Sequence, residues 1–190
     1  MDKAIEAEVT WTADPRIHTA TERIAQNRAP EAVTELRQLI GEQPEMLEAH
    51  SLMLTAQMKA QDYDGLKETL ATLCRLHVKS KELDVALQNY DEFCNAGGEK
   101  IGVSEWQAIC RHLETLQAWE RAANEYEKLA HAYPADRISV SALISAARVR
   151  LKRMGDKSAA VRLYQEAEAS PVPHLDWDDA IRMGLKEAKA

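Results

Sequence analysis

The stretch VSEWQAICRHLETLQAWERAANEYEKLAHAYPAD, residues 103–136, decides the fold. Val103, Trp106, Ile109, Cys110, Leu113 and Leu116 recur at steps of three and four, and so do Trp119, Ala122, Ala123, Tyr126, Leu129, Ala130 and Tyr133. Each set is the apolar stripe of an amphipathic helix, because residues three and four apart share a face at 3.6 residues per turn. Only Gln117 and Ala118 separate the two stripes, so the helices form an antiparallel hairpin.

These residues resemble the tetratricopeptide repeat, a helix-turn-helix unit of about 34 residues. Trp106, Ile109, Ala122, Tyr126 and Pro134 fall at its pattern positions, while Cys110 replaces the usual Gly, Leu113 the Tyr and Leu129 the last Ala. The resemblance implies an all-α fold, a right-handed superhelical stack of antiparallel helix hairpins (an α-solenoid) with a C-terminal capping helix. It also implies scaffolding rather than chemistry.

Working outward, residues 1–13 carry Ile5, Val9 and Trp11 without cap or period and are left as an N-terminal arm. Asp14 can cap a helix with Pro15 at its first position and Ile17, Ala20 and Ile24 inward. A partner opens at Pro30 and stops at Gly41, with Ala32, Leu36, Leu39 and Pro44 at the places of Ala122, Tyr126, Leu129 and Pro134; this unit is about 11–44. The helix from Glu45 to about Ala60 is apolar on much of its circumference, as one packed on both sides would be. Asp62 caps its partner, whose Leu66, Leu70 and Leu73 repeat Ala32, Leu36 and Leu39 in register, giving a unit over 45–78. An extra helix over 80–96, from Ser80 with Leu83, Tyr90 and Phe93 inward, ends at Gly97 and Gly98 in a glycine C-cap. It either stands between units or pairs with 103–116 and shifts the alternation of helix roles. After the 103–136 unit, Asp136 caps a helix with Val140, Leu143 and Leu151; Ala160, Tyr164 and Ala167 on its partner complete a unit over 137–171. Residues 176–188 read as a capping helix started by Asp176, with Trp177, Ile181 and Leu185 on one face. Residues 14–190 are thus one repeat domain.

Seven Gly, six Pro and one Phe in 190 residues, with abundant Ala, Leu, Glu, Lys, Arg and Gln, agree with helix throughout. A chain of this length buries roughly 70% of its unfolded surface and can fold alone. The net charge of -7 weighs against nucleic acid, whose phosphates need a Lys/Arg surplus. Cys74, Cys94 and Cys110 each sit on an apolar stripe without CxxC spacing, which predicts reduced core thiols in a reducing compartment. No signal-like apolar run opens the chain, and no stretch approaches the roughly 18 apolar residues of a span, so the expected location is cytoplasmic, without direct membrane insertion.

Candidate chemistry is sparse. The sequence has no GxSxG, HExxH or phosphate loop; Gly97, Gly98 and Gly102 lack the Lys and the preceding strand. Cys110 and His112 point about 200° apart on one helix and cannot share a metal. Asp176, Asp178 and Asp179 beside His174 are explained by capping and the helix dipole. Arg148, Arg150, Lys152 and Arg153 concentrate positive charge near a helix end, suited either to its dipole or to an acidic partner. In the tetratricopeptide family the first helices of the pairs line a concave face, and the positions facing it correspond to Ser51, Thr55, Gln107, Arg111, Ser145, Val149 and Lys152. Ile17, Thr21 and Thr55 replace the Lys and Asn of the subclass that clamps a C-terminal carboxylate, so that function is not implied. The expectation is a non-catalytic scaffold or adaptor without cofactor or metal, binding an acidic peptide or helix of a protein partner. The alternative is an accessory or regulatory subunit, such as a small chaperone of the same repeat type dimerising through its N-terminal arm. The oligomeric state is left open.

Overall fold

Four of the described helices start on aspartates. In a computed structural model, which describes residues 14–190, Asp14 accepts from Arg16 N at 3.0 Å, Asp62 from Gly65 N at 3.0 Å, Asp136 from Ile138 N at 2.9 Å and Asp156 from Ala159 N at 3.0 Å. Each bond satisfies an amide that has no partner inside its own helix. The expected N-terminal arm lies outside the described residues. Among the described residues there are ten α-helices and no strand: α1 Pro15–Ala25, α2 Ala29–Glu42, α3 Leu47–Ala60, α4 Tyr63–Lys79, α5 Leu83–Asn95, α6 Val103–Thr115, α7 Trp119–Ala132, α8 Arg137–Met154, α9 Lys157–Glu168 and α10 Asp178–Lys189, with a 3-10 turn at Leu175–Trp177 before α10. None of these helices is long and apolar enough to cross a membrane.

Left-handed residues make the turns. Asn27, Gln61 and Gln117 join α1 to α2, α3 to α4 and α6 to α7, each with a φ of 57–62°. Gly155 takes the same role between α8 and α9, and Gly97, at φ 83°, ends α5 where the glycine C-cap was expected.

The chain divides into two compact units, the first reaching to Leu76 and including Glu92–Gly98, the second made of His77–Asp91 and Glu99–Ala190. In the first, α2 packs on α1 and α3 around Ile17, Ala20, Ile24, Leu36 and Leu39, expected on the inward stripes, together with Val33 and Met53. Two expectations fail here. The helix thought to be packed on both sides, α3, buries Ala49, Met53 and Ala56 but leaves Met58 62% exposed, and Cys94 is exposed while Cys74 and Cys110 are buried. An apolar stripe marks a preference for burial; it does not supply a neighbour.

In the second unit, α7 packs on α6 and α8, and α9 on α8 and α10. The part of α5 in this unit joins both helices of the 103–136 hairpin. Tyr90 lies 6.1 Å from the Trp106 ring and bonds Glu125, Asp84 meets His112 at 2.9 Å, and Arg121 pairs with Asp91. At the other end Asp176 does not cap α10. Its carboxylate pairs with Arg137, whose guanidinium also stacks over Trp177, so the chain makes a 3-10 turn first and α10 begins two residues after Asp176.

Polar ties join positions 34 or 35 residues apart. In the second unit Glu114 meets Arg148, Glu127 meets Arg162, His131 meets Glu166 and Lys152 meets Glu187, at separations of 34 or 35 residues. In the first, Lys59 donates to Ile24 O from 35 residues away.

Candidate functional site

Helical spacing puts Gln107, Arg111 and Glu114 on one face of α6, and Ser141, Ser145, Arg148 and Lys152 on one face of α8. Glu114 holds the two faces together by accepting from Tyr126 Oη at 2.9 Å and from Arg148 at 3.2 Å. Burial and the adjoining Glu114 carboxylate both push the Tyr126 phenol above its ordinary range, so it remains a hydrogen-bond donor. Glu114, Arg148, Val149, Lys152 and Arg153 line a polar cleft of about 630 Å³ beside this face.

The structure sorts the expected binding residues. Arg111 is exposed and Gln107 half-buried, and among the described residues Arg111 has no ion-pair partner. Ser145 is half-buried and donates back to Ser141 O at 2.9 Å. Val149, expected at the surface, is only 1% exposed and supplies the floor of the cleft, because its position on α8 turns it to the core with Ala142 and Ala146. Lys152 is exposed and pairs with Glu187 of α10. Ser51 and Thr55 are exposed on α3 in the first unit, their hydroxyls donating to Leu47 O at 3.0 Å and Ser51 O at 3.3 Å.

The basic run is likewise spent inside the chain. Arg148 meets Glu114, Arg150 meets Glu127 at 3.3 Å and Asn124 at 2.5 Å, and Arg153 lies 4.8 Å above the Trp119 ring. Cys110 is fully buried, which pushes its thiol up and keeps it protonated, while the neighbouring His112 turns outward to Asp84. His174 bonds Val172 O at 2.7 Å, and among the described residues no group of three His, Cys, Asp or Glu side chains could hold a metal ion.

Sequence reading missed the polar centre of the second unit. Glu125 is 4% exposed; its Oε2 accepts from Tyr90 Oη at 2.5 Å and Trp106 Nε1 at 2.9 Å, and its Oε1 from Lys128 at 2.9 Å. The signal was present: Glu125 falls three after Ala122 and four before Leu129, on the apolar stripe, where an unpartnered carboxylate is unfavourable.

No protein-family model and no curated protein matches this chain. Among solved structures it is similar to the crystal structure of BtubC (BKLC) from P. vanneervenii, with 16% identity over 92% of this chain and 86% of that one and a TM-score of 0.49.

Proposed function

We propose that this chain is a non-catalytic protein-interaction module of tetratricopeptide type, and that the face shared by α6 and α8 takes an acidic peptide or helix of a partner protein. One observation carries the reading: the 3.2 Å Glu114–Arg148 bond, between residues 34 apart, ties the α6 face that carries Gln107 and the exposed Arg111 to the α8 face that carries Ser145. The ties at one repeat length support stacked, equivalent units. The network around Glu114 has its own geometry fixed by three helices, so a ligand meets a preorganised surface.

A single exposed Arg–carboxylate pair is worth only about 0.2–1 kcal/mol, so affinity rests on several contacts and the guanidinium supplies preference. Selection from a displayed peptide library on the immobilised chain should enrich Asp- and Glu-bearing sequences whose binding weakens with salt and is lost with Arg111→Glu. Lys152 is left unchanged, since reversing it would break its tie to Glu187. Selected peptides without acidic bias, or peptides that bind Arg111→Glu equally well, would refute the reading.

A further inference from the structure

Arg148 is held by less than its side chain offers. It meets Glu114 through one nitrogen, Nη2, which reaches the two carboxylate oxygens at 3.2 and 3.4 Å. Charge-assisted N–H···O bonds close to about 2.7–2.9 Å, and a matched Arg–carboxylate pair uses two nitrogens. Among the described residues Nε and Nη1 of Arg148 make no hydrogen bond, and the side chain is 56% exposed. Glu114 is more firmly placed: its side chain is 23% exposed, and it accepts from Tyr126 Oη at 2.9 Å whatever Arg148 does.

Arg148 lines the polar cleft of about 630 Å³ with Lys152, Arg153 and Glu114, so three cations and a single carboxylate share its walls, and the buried Val149 adds no polar side chain. Glu187 pairs with Lys152, and the Trp119 ring lies under Arg153. We infer that, if the α6–α8 face takes an acidic partner as proposed above, Arg148 is its specificity-determining residue and receives an Asp or Glu side chain of that partner on the donors Glu114 leaves open. A second carboxylate completes what the first makes poorly, a short two-nitrogen pair with the planar guanidinium. It arrives beside a like charge, so Glu114 acts as an internal competitor that an amide side chain of the partner, bringing no charge, does not outbid. With Arg111 exposed on α6, two guanidinium groups are to be met. The ligand is therefore a segment with at least two acidic side chains, and a terminal carboxylate is not required.

The test uses the whole chain and two labelled peptides, one of Glu-Ala-Ala repeats and its Gln-Ala-Ala counterpart, both acetylated and amidated so that no terminal charge enters. Fluorescence anisotropy should show saturable binding of the Glu peptide only. Glu114→Gln keeps an acceptor for Tyr126 and Arg148 while removing the competing charge, and should tighten the Glu peptide by about two- to fivefold at low salt, a gain that misfolding does not produce. Arg148→Gln should weaken it by a similar factor while melting near wild type, and Arg148→Lys, which keeps the charge but not the paired donors, should recover only part. Glu168→Gln changes the net charge as Glu114→Gln does, at the end of α9 away from the Gly155 turn, and should leave binding as it is. Unchanged or weaker affinity in Glu114→Gln, an equal gain in Glu168→Gln, or full binding by Arg148→Gln while Arg111→Glu abolishes it would overturn this role for Arg148 and leave the acidic-partner reading standing. No preference for the Glu peptide would overturn both.

Discussion

Replacing Glu125 tests the polar centre of the second unit most directly. Glu125→Ala leaves Tyr90 Oη and Trp106 Nε1 buried without their acceptor. Each orphaned donor costs about 1–3 kcal/mol, and the cavity adds to that, so the expected loss is about 3–5 kcal/mol. Glu125→Gln keeps the shape and can turn its amide oxygen to both donors, while the Lys128 ammonium, which an NH2 cannot accept from, turns away; its side chain is 60% exposed and its ion pair therefore adds little. The expected loss for Gln is only about 1–2 kcal/mol, the difference between charge-assisted and neutral hydrogen bonds. Tyr90→Phe should weaken the wild-type chain by about 1–2 kcal/mol and be nearly neutral in the Glu125→Ala background, where the hydroxyl no longer has its acceptor. Urea unfolding followed by tryptophan fluorescence in a Trp11→Phe background reads this unit, because the other three tryptophans, Trp106, Trp119 and Trp177, all lie in it. Equal losses for Ala and Gln, or a Tyr90→Phe cost independent of residue 125, would refute the account.

Three further outcomes are expected. In native protein a colourless disulfide reagent titrated against thiols should modify Cys94 quickly, while Cys74 and the protonated, buried Cys110 react only on unfolding; rapid reaction of all three would show the core is open. Gly184→Ala places a methyl group inside the Tyr164 ring that packs on α10, and should lower stability by about 1–3 kcal/mol with faster amide exchange in α10; unchanged exchange would mean that the helix shifts freely. Arg16 holds the Asp14 carboxyl down from 3.8 to about 2, so the contribution of that cap is complete above the ordinary carboxyl range and is lost as pH falls toward about 2. The amides of Arg16 and Ile17 should lose protection in that window, and Asp14→Asn should abolish the pH dependence; loss already at mildly acidic pH would contradict the pairing.

The helices were legible because local chemistry specifies them. Asp14, Asp62 and Asp136 cap where their sequence context says they should, and the stripes of α1, α2, α6 and α7 are buried at their centres, though Leu116, at the end of the first stripe of the 103–136 hairpin, is 51% exposed. What failed was always a question of neighbours. Asp176 has the sequence of an N-cap, but Arg137, far away in the chain, takes its carboxylate. Val149 and Lys152 occupy plausible surface positions on a template, yet one turns to the core and the other is met by a helix 35 residues later. Met58 belongs to a helix whose apolar circumference predicts packing on both sides, and nothing in a sequence records that, among the described residues, it stays 62% exposed. Glu125 was the reverse case, a charge on an apolar stripe whose partners lie on two other helices.

Ties between residues 34 or 35 apart also make the chain sensitive to its own arithmetic. One residue inserted in α7 just after Ala123 turns the preceding helix about 100° relative to everything that follows, so the stripe of Trp119, Ala122 and Ala123 no longer lines up with that of Tyr126 and Leu129, though no side chain has been replaced. The same insertion in the connection at 133–136 leaves the faces of α7 and α8 whole and is absorbed by a surface turn. Among descendants of this sequence, changes in length should therefore gather between the helices, and within them the count of residues should be kept more strictly than their identity.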